Sequence, residues 1–122
     1  MKLGRAVPIL RIFDGDKAKD FYVGYLNMTV DFEHRFEPTL PLFMQVSRGE
    51  LVLHLSEHHG DGTPGTVVYI PTVGVRELHE ELGTRNYPYL RPGVESDDTD
   101  TWMQLLDPFG NTLRFEEPRV RS

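Results

Sequence analysis

Histidine, carboxylate and one arginine are the residue types here whose positions suggest chemistry. The chain has 122 residues, five of them histidine and none cysteine. Thiolate nucleophiles, thiolate metal ligands and disulfides are therefore excluded. His58 and His59 stand beside Asp61 in a glycine-rich run. Adjacent histidines on such a run point in different directions and no third ligand is fixed by spacing, so it reads as a solvated or subunit-contacting loop. His34 is isolated, and His79 lies at helical spacing on an apolar stripe, the edge of a packed core. His54 alternates with leucines in Leu51–Ser56 (LVLHLS). Facing Glu116 it would make an acid–base pair, with Arg114 free to hold a carboxylate or oxyanion. The simpler reading, which we favour, has Arg114 and Glu116 neutralise each other or a neighbour on their strand. No nucleophile elbow is present, and GDGTPG (60–65) is a connector that follows no phosphate-loop pattern.

The elements that must position these residues come in two similar sets. Residues 5–12 read as a strand. A helix over 14–26 follows, with Ala18, Phe21, Tyr22, Tyr25 and Leu26 at helical spacing; Asp14 or Asp16 caps its start and Asn27 its end. Strands are expected at 28–36, 40–47 and 50–56, the last two joined by a turn at Gly49. Glu57 to Gly65 (EHHGDGTPG) is the strong linker signal. The order then repeats: a strand at 66–71, a helix at 74–83 carrying Val75, Leu78, His79 and Leu82 on one face, and strands at 87–91, 100–106 and 111–116. Asp107-Pro108-Phe109-Gly110-Asn111 supplies the turn before the last strand. The expectation is one α+β domain over 1–122 built from two βαβββ modules, about 5–57 and 65–117. Leu42-Phe43-Met44 is matched to Met103-Gln104-Leu105, and Leu53-His54-Leu55 to Leu113-Arg114-Phe115, as traces of an internal duplication.

Alternation along the strands sorts two faces. One is apolar: Leu10, Ile12, Leu42, Met44, Val46, Leu51, Leu53, Leu55, Val68, Ile70, Met103, Leu105, Leu113 and Phe115. The amphipathic helices cover it. The other is mixed and carries Phe43, Gln45, His54, Tyr69, Trp102, Gln104, Arg114 and Glu116, with Val7, Ile9, Val52 and Val67 among them. Exposed valines and the single tryptophan favour a ligand-binding face over a plain wet surface. Those eight aromatic, amide and charged residues are the expected ligand contacts.

The net charge is −6, which argues against a nucleic-acid backbone as partner and suits a cationic small molecule. No apolar run approaches a membrane span and the first residues lack a signal-peptide pattern, so no membrane partner and a cytoplasmic location are expected.

The opening AVPIL…D…FY…YL, the central RGELVLHLSEHHGDGTPG and the late DPFGN…LRFEE together resemble the glyoxalase/bleomycin-resistance proteins of the vicinal-oxygen-chelate superfamily, over roughly residues 5–117. The resemblance implies two βαβββ modules forming an open, curled mixed sheet with helices on the convex face, assembled as a homodimer. The superfamily's enzymes hold a divalent metal on four ligands from the first and last strands of each module. Carried over, those positions are Val7, His54, Val67 (or Thr66) and Arg114, of which one can bind a metal, where at least three are required. The resemblance thus points to the bleomycin-resistance branch, with no metal and no cofactor: sequestration of a small molecule, a cationic bleomycin-type antibiotic being the leading candidate, in a cleft of a homodimer. The alternative is a lyase, isomerase or dioxygenase-like enzyme that recruits a metal at His54 with non-standard ligands. One departure bears on the drug itself: known binders carry Trp-Gly before the seventh strand, where this chain has Asp97-Asp98-Thr99-Asp100, with Trp102 inside the strand.

Overall fold

The computed structural model describes residues 1–35 and 37–119. Its strands are β1 (Ile9–Arg11), β2 (Thr29–His34), β3 (Phe43–Arg48), β4 (Leu51–Ser56), β5 (Val67–Pro71), β6 (Glu95–Ser96), β7 (Asp100–Leu106) and β8 (Thr112–Pro118). Two helices, α1 (Gly15–Lys19) and α2 (Val75–Gly83), interrupt them after β1 and β5. The chain divides after Pro64 into two compact units, at the glycine-rich linker.

The first unit is a four-stranded sheet in the order β1-β4-β3-β2 and the second repeats it as β5-β8-β7-β6. In each, the first strand runs parallel to the last and the remaining pairs are antiparallel. This is the expected α+β arrangement of two βαβββ modules with mixed sheets. The register shows how the repeats align. His54 lies opposite Gln45 and Ile9, and Arg114 lies opposite Gln104 and Tyr69. Phe43 opposite Ser56 therefore answers Trp102 opposite Glu116. Matching Leu42-Phe43-Met44 to Met103-Gln104-Leu105 is off by two residues; Thr101-Trp102-Met103 is the true counterpart. A shift of two preserves the alternation of faces, so pattern alone does not expose it.

The apolar face is the core of each unit. Leu10, Ile12, Met44, Val46, Leu53, Leu55, Met103, Leu105 and Leu113 are fully buried, and Leu42, Val68, Ile70 and Phe115 nearly so; only Leu51 is half-buried. In the second unit α2 lies against β7 and β8, burying Val75 and Leu82.

Three elements depart from expectation. The first helix is α-helical only over Gly15–Lys19 and continues as a π-helical stretch, Asp20–Tyr25, with Leu26 N–H donating to the Phe21 carbonyl at 2.9 Å. Phe21, Tyr22, Tyr25 and Leu26 are all buried. Their arc is wide for an α-helix, and the looser π turn lets all four reach the core. Its ends are as expected: Asp14 Oδ1 accepts from Lys17 N–H at 2.9 Å, and Asn27 is left-handed with φ 55°. Secondly, β1 spans three residues because Pro8 has no N–H to extend the pairing, although its carbonyl still accepts from His54 N–H. Thirdly, 87–91 is not a strand. Pro88 and Pro92 break it, and the short β6 at Glu95–Ser96 pairs with β7 instead. The expected strand 28–36 ends at His34, and Phe36 lies outside the described residues.

Candidate ligand-binding faces

The mixed face of the first sheet carries a connected polar and aromatic cluster. Gln45 Nε2 donates to Asp31 Oδ2 at 3.0 Å and Ser47 Oγ donates to Asp31 Oδ1 at 3.0 Å. A carboxylate only accepts, so the amide nitrogen of Gln45 must face Asp31 and its oxygen must face His54 Nε2, 2.9 Å away. This network assigns the imidazole tautomer: Nε2 carries hydrogen and donates. Two phenylalanines enclose the ring, Phe43 at 5.0 Å between centroids and Phe32 at 6.1 Å, and these two stack at 6.4 Å with 17° between planes.

Phe32 and Asp31 were not singled out from sequence. A bulge between Val30 and Phe32 brings Phe32 opposite Gln45, and without that extra residue the alternation would point Phe32 to the core face. Phe32 remains 45% exposed and Ile9 42%, far more than an apolar residue inside a packed sheet retains. His58 extends the aromatic cluster, 6.5 Å from Phe43. The loop it begins is held by Ser56 Oγ, which accepts from His58 N–H and donates to Asp61 Oδ2.

On the second sheet the corresponding row is Tyr69, Arg114 and Gln104, adjacent across β5, β8 and β7. Tyr69 is 53% exposed and Val67 57%. Trp102 lies between Glu95 and Glu116 on neighbouring strands and donates its indole N–H to Glu95 Oε2 at 3.0 Å. Glu116 is hydrogen-bonded to Asp100, and this contact raises its pKa above the ordinary 4.5; desolvation and the Asp100 charge push the same way, and Arg114 opposes them. Asp97 behaves oppositely. The backbone N–H groups of Asp100 and Thr99, followed by the Thr99 hydroxyl, hold its carboxyl below the ordinary 3.8, through bonds of 2.8 to 2.9 Å.

Arg114 and Glu116 make no direct ion pair among the described residues; the Glu116 carboxyl bonds Asp100, while the Arg114 charge still acts on it. Arg114 makes no ion pair or hydrogen bond among the described residues, and its Nε is sealed from solvent. Leaving a buried charged donor unmatched costs about 1–3 kcal/mol or more.

Of the four positions inherited from metal-bearing relatives, Val7 and Val67 are aliphatic, Thr66 is the alternative to the latter, and Arg114 has no lone pair to give. His54 directs its Nε2 hydrogen, not a lone pair, at Gln45. These residues do not fit a divalent ion held in that manner. Among the described residues no three histidine or acidic side chains gather as a metal site, and no helix is long and apolar enough to cross a membrane. A separate cavity of about 420 Å³ opens at the start of α1, between Phe13, Asp16, Lys19, Arg35 and Leu42. None of the residues expected from sequence lines it, and its charges are largely paired as Lys19–Glu33 at 2.8 Å and Arg35–Glu57 at 3.3 Å.

Two repeated mixed sheets of this topology are the architecture of the glyoxalase class of α+β proteins. A family model described as glyoxalase superfamily protein matches residues 1–121, and the chain belongs to that superfamily. Among solved structures, it is similar to the bleomycin-binding protein of bleomycin-producing Streptomyces verticillus, complexed with copper(II)-bleomycin: 28% identity, 94% of this chain and 96% of that one, TM-score 0.68. The bleomycin resistance determinant encoded on transposon Tn5 shares the fold at 18% identity, 97% and 100% coverage and TM-score 0.68. So does TnmS3, an antibiotic binding protein from Streptomyces sp. CB03234, at 20% identity, 97% and 99% coverage and TM-score 0.69. No curated protein matches the sequence.

Proposed function

We propose that the chain is a metal-free binding protein that sequesters a cationic small molecule, a bleomycin-type antibiotic being the leading candidate, as a homodimer and a single working domain. The observation that carries this is the first sheet's open face, where Phe32, Phe43, His54 and Gln45 form a preorganised aromatic and amide surface. Aromatic rings supply large contact area at low entropic cost, and the amide network fixes their positions. On the second sheet Trp102 is flanked by Glu95 and Glu116, which suits a planar cationic group. Tyr69 and Gln104 extend that surface, and Arg114 and Glu116 set its charge. The likeness to a bleomycin-binding protein at 28% identity supports the choice of drug class. With no lone-pair set for a divalent ion, the face has the means to hold a guest and lacks the means to polarise it.

Isothermal calorimetry with copper-free and copper(II)-bleomycin tests the reading. Saturable binding at micromolar or lower Kd, one drug per chain, is expected, and Phe43→Ala should weaken it at least about tenfold. Absence of heat at micromolar concentrations with either form removes bleomycin as the ligand.

A further inference from the structure

We propose that Arg114 anchors an oxyanion, most simply a carboxylate, carried by the ligand. This rests on the binding function above and adds a chemical requirement that a purely cationic guest does not meet.

The geometry is that of a guanidinium with no direct partner: the Glu116 charge acts on it only through space. Arg114 is half-buried in the middle of β8, yet it has no hydrogen bond or ion pair among the described residues and its Nε is closed to solvent without a partner. The nearest candidate on its own strand, Glu116, is hydrogen-bonded to Asp100. Arginine binds carboxylates through two parallel N–H donors in a fixed fork. Its strand neighbours fit that use: Tyr69 and Gln104 lie directly across on β5 and β7, and a hydroxyl and an amide can each donate to an oxyanion. Neither side chain makes a hydrogen bond or ion pair among the described residues, and both residues are exposed. In the first unit the equivalent row behaves differently. There His54 and Gln45 bond each other and Gln45 continues to Asp31, so that row is satisfied internally and the second is not. The first row has spent its donors on itself, and the second keeps them available for a ligand.

The test uses benzoate as probe, with benzylammonium as the isosteric cation, and follows the Arg114 Nε–Hε resonance of the full-length wild-type protein by ¹H–¹⁵N NMR. A saturable shift with benzoate in the millimolar range is expected, and none with benzylammonium. Arg114→Gln should weaken benzoate binding at least about tenfold, while Arg114→Lys retains the charge but loses the fork and falls between. A wild-type Arg114 signal that ignores benzoate overturns the proposal, as does unchanged benzoate affinity in a folded Arg114→Gln protein. Bleomycin binding without a benzoate response defeats the anchor and leaves the binding function standing. A benzoate response without bleomycin binding removes the drug and keeps the anchor.

Discussion

At Glu116 and Asp100 two carboxyl groups share a hydrogen bond that one of them can donate only while protonated. Glu116 therefore holds its proton more tightly folded than unfolded, and the folded state binds more protons in the range above the ordinary 4.5. By linkage, this contribution is full below that value and lost as pH rises through the raised folded pKa. Glu116→Gln keeps a donor at every pH. Its melting temperature should exceed the wild type's at pH 7 and the difference should close near pH 4.5, measured by thermal denaturation across that range; a gap independent of pH contradicts the assignment. Asp97 works in the opposite sense, stabilising above its ordinary 3.8 and failing only in more acid solution. Asp107 is a different case, buried at 3% exposure, accepting from Phe109 and Asn111 N–H groups and from Asn111 Nδ2 at 2.8 to 3.0 Å. Asp107→Ala leaves those donors unmatched and should cost about 2–3 kcal/mol in chemical denaturation. The turn was readable from DPFGN; its dependence on the aspartate carboxylate was not, since composition does not say where a side chain turns.

Elements were legible where period and local caps agreed. Strand alternation located the core face in both units, and Asp14 and Asn27 marked the ends of the first helix. Some misses were local, as where Pro88 and Pro92 break 87–91; the others come from interactions between positions far apart in sequence. Helix α2 shows it well: its N-cap is Gly74, which has no side chain, and the capping oxygen comes from Glu117, which accepts from Gly74 and Val75 N–H groups at 3.0 and 3.1 Å. Glu117→Ala should therefore destabilise the second unit by about 1 kcal/mol, with reduced amide-exchange protection at the start of α2. The β2 bulge that exposes Phe32 is invisible for the same reason. In the linker, Gly62 has φ +75° and a Cβ there would stand 2.8 Å from the Ile9 carbonyl oxygen. Backbone cannot yield as a side chain tip can, so Gly62→Ala should lower the melting temperature and disturb β1, more than Gly60→Ala, where nothing lies within 4 Å.

For the molecule as a whole, the exposed apolar side chains set the expectation. Ile9, Phe32, Val67, Tyr69 and Leu106 are each more than 40% exposed, on strands whose other faces are packed. Such surfaces mark association or ligand sites, and sedimentation velocity should find a species of twice the chain mass. The candidate site was legible in part: the residues chosen from alternation lie on the mixed faces of the two sheets, while Phe32, Asp31 and the want of a direct partner for Arg114 needed three-dimensional register. Whether that surface stores its guest unchanged is best tested by native mass spectrometry. Protein mixed with stoichiometric bleomycin should appear as a dimer carrying the drug, and denaturation should release bleomycin at its original mass. Protein free of drug under these conditions, or drug recovered with an altered mass, contradicts sequestration.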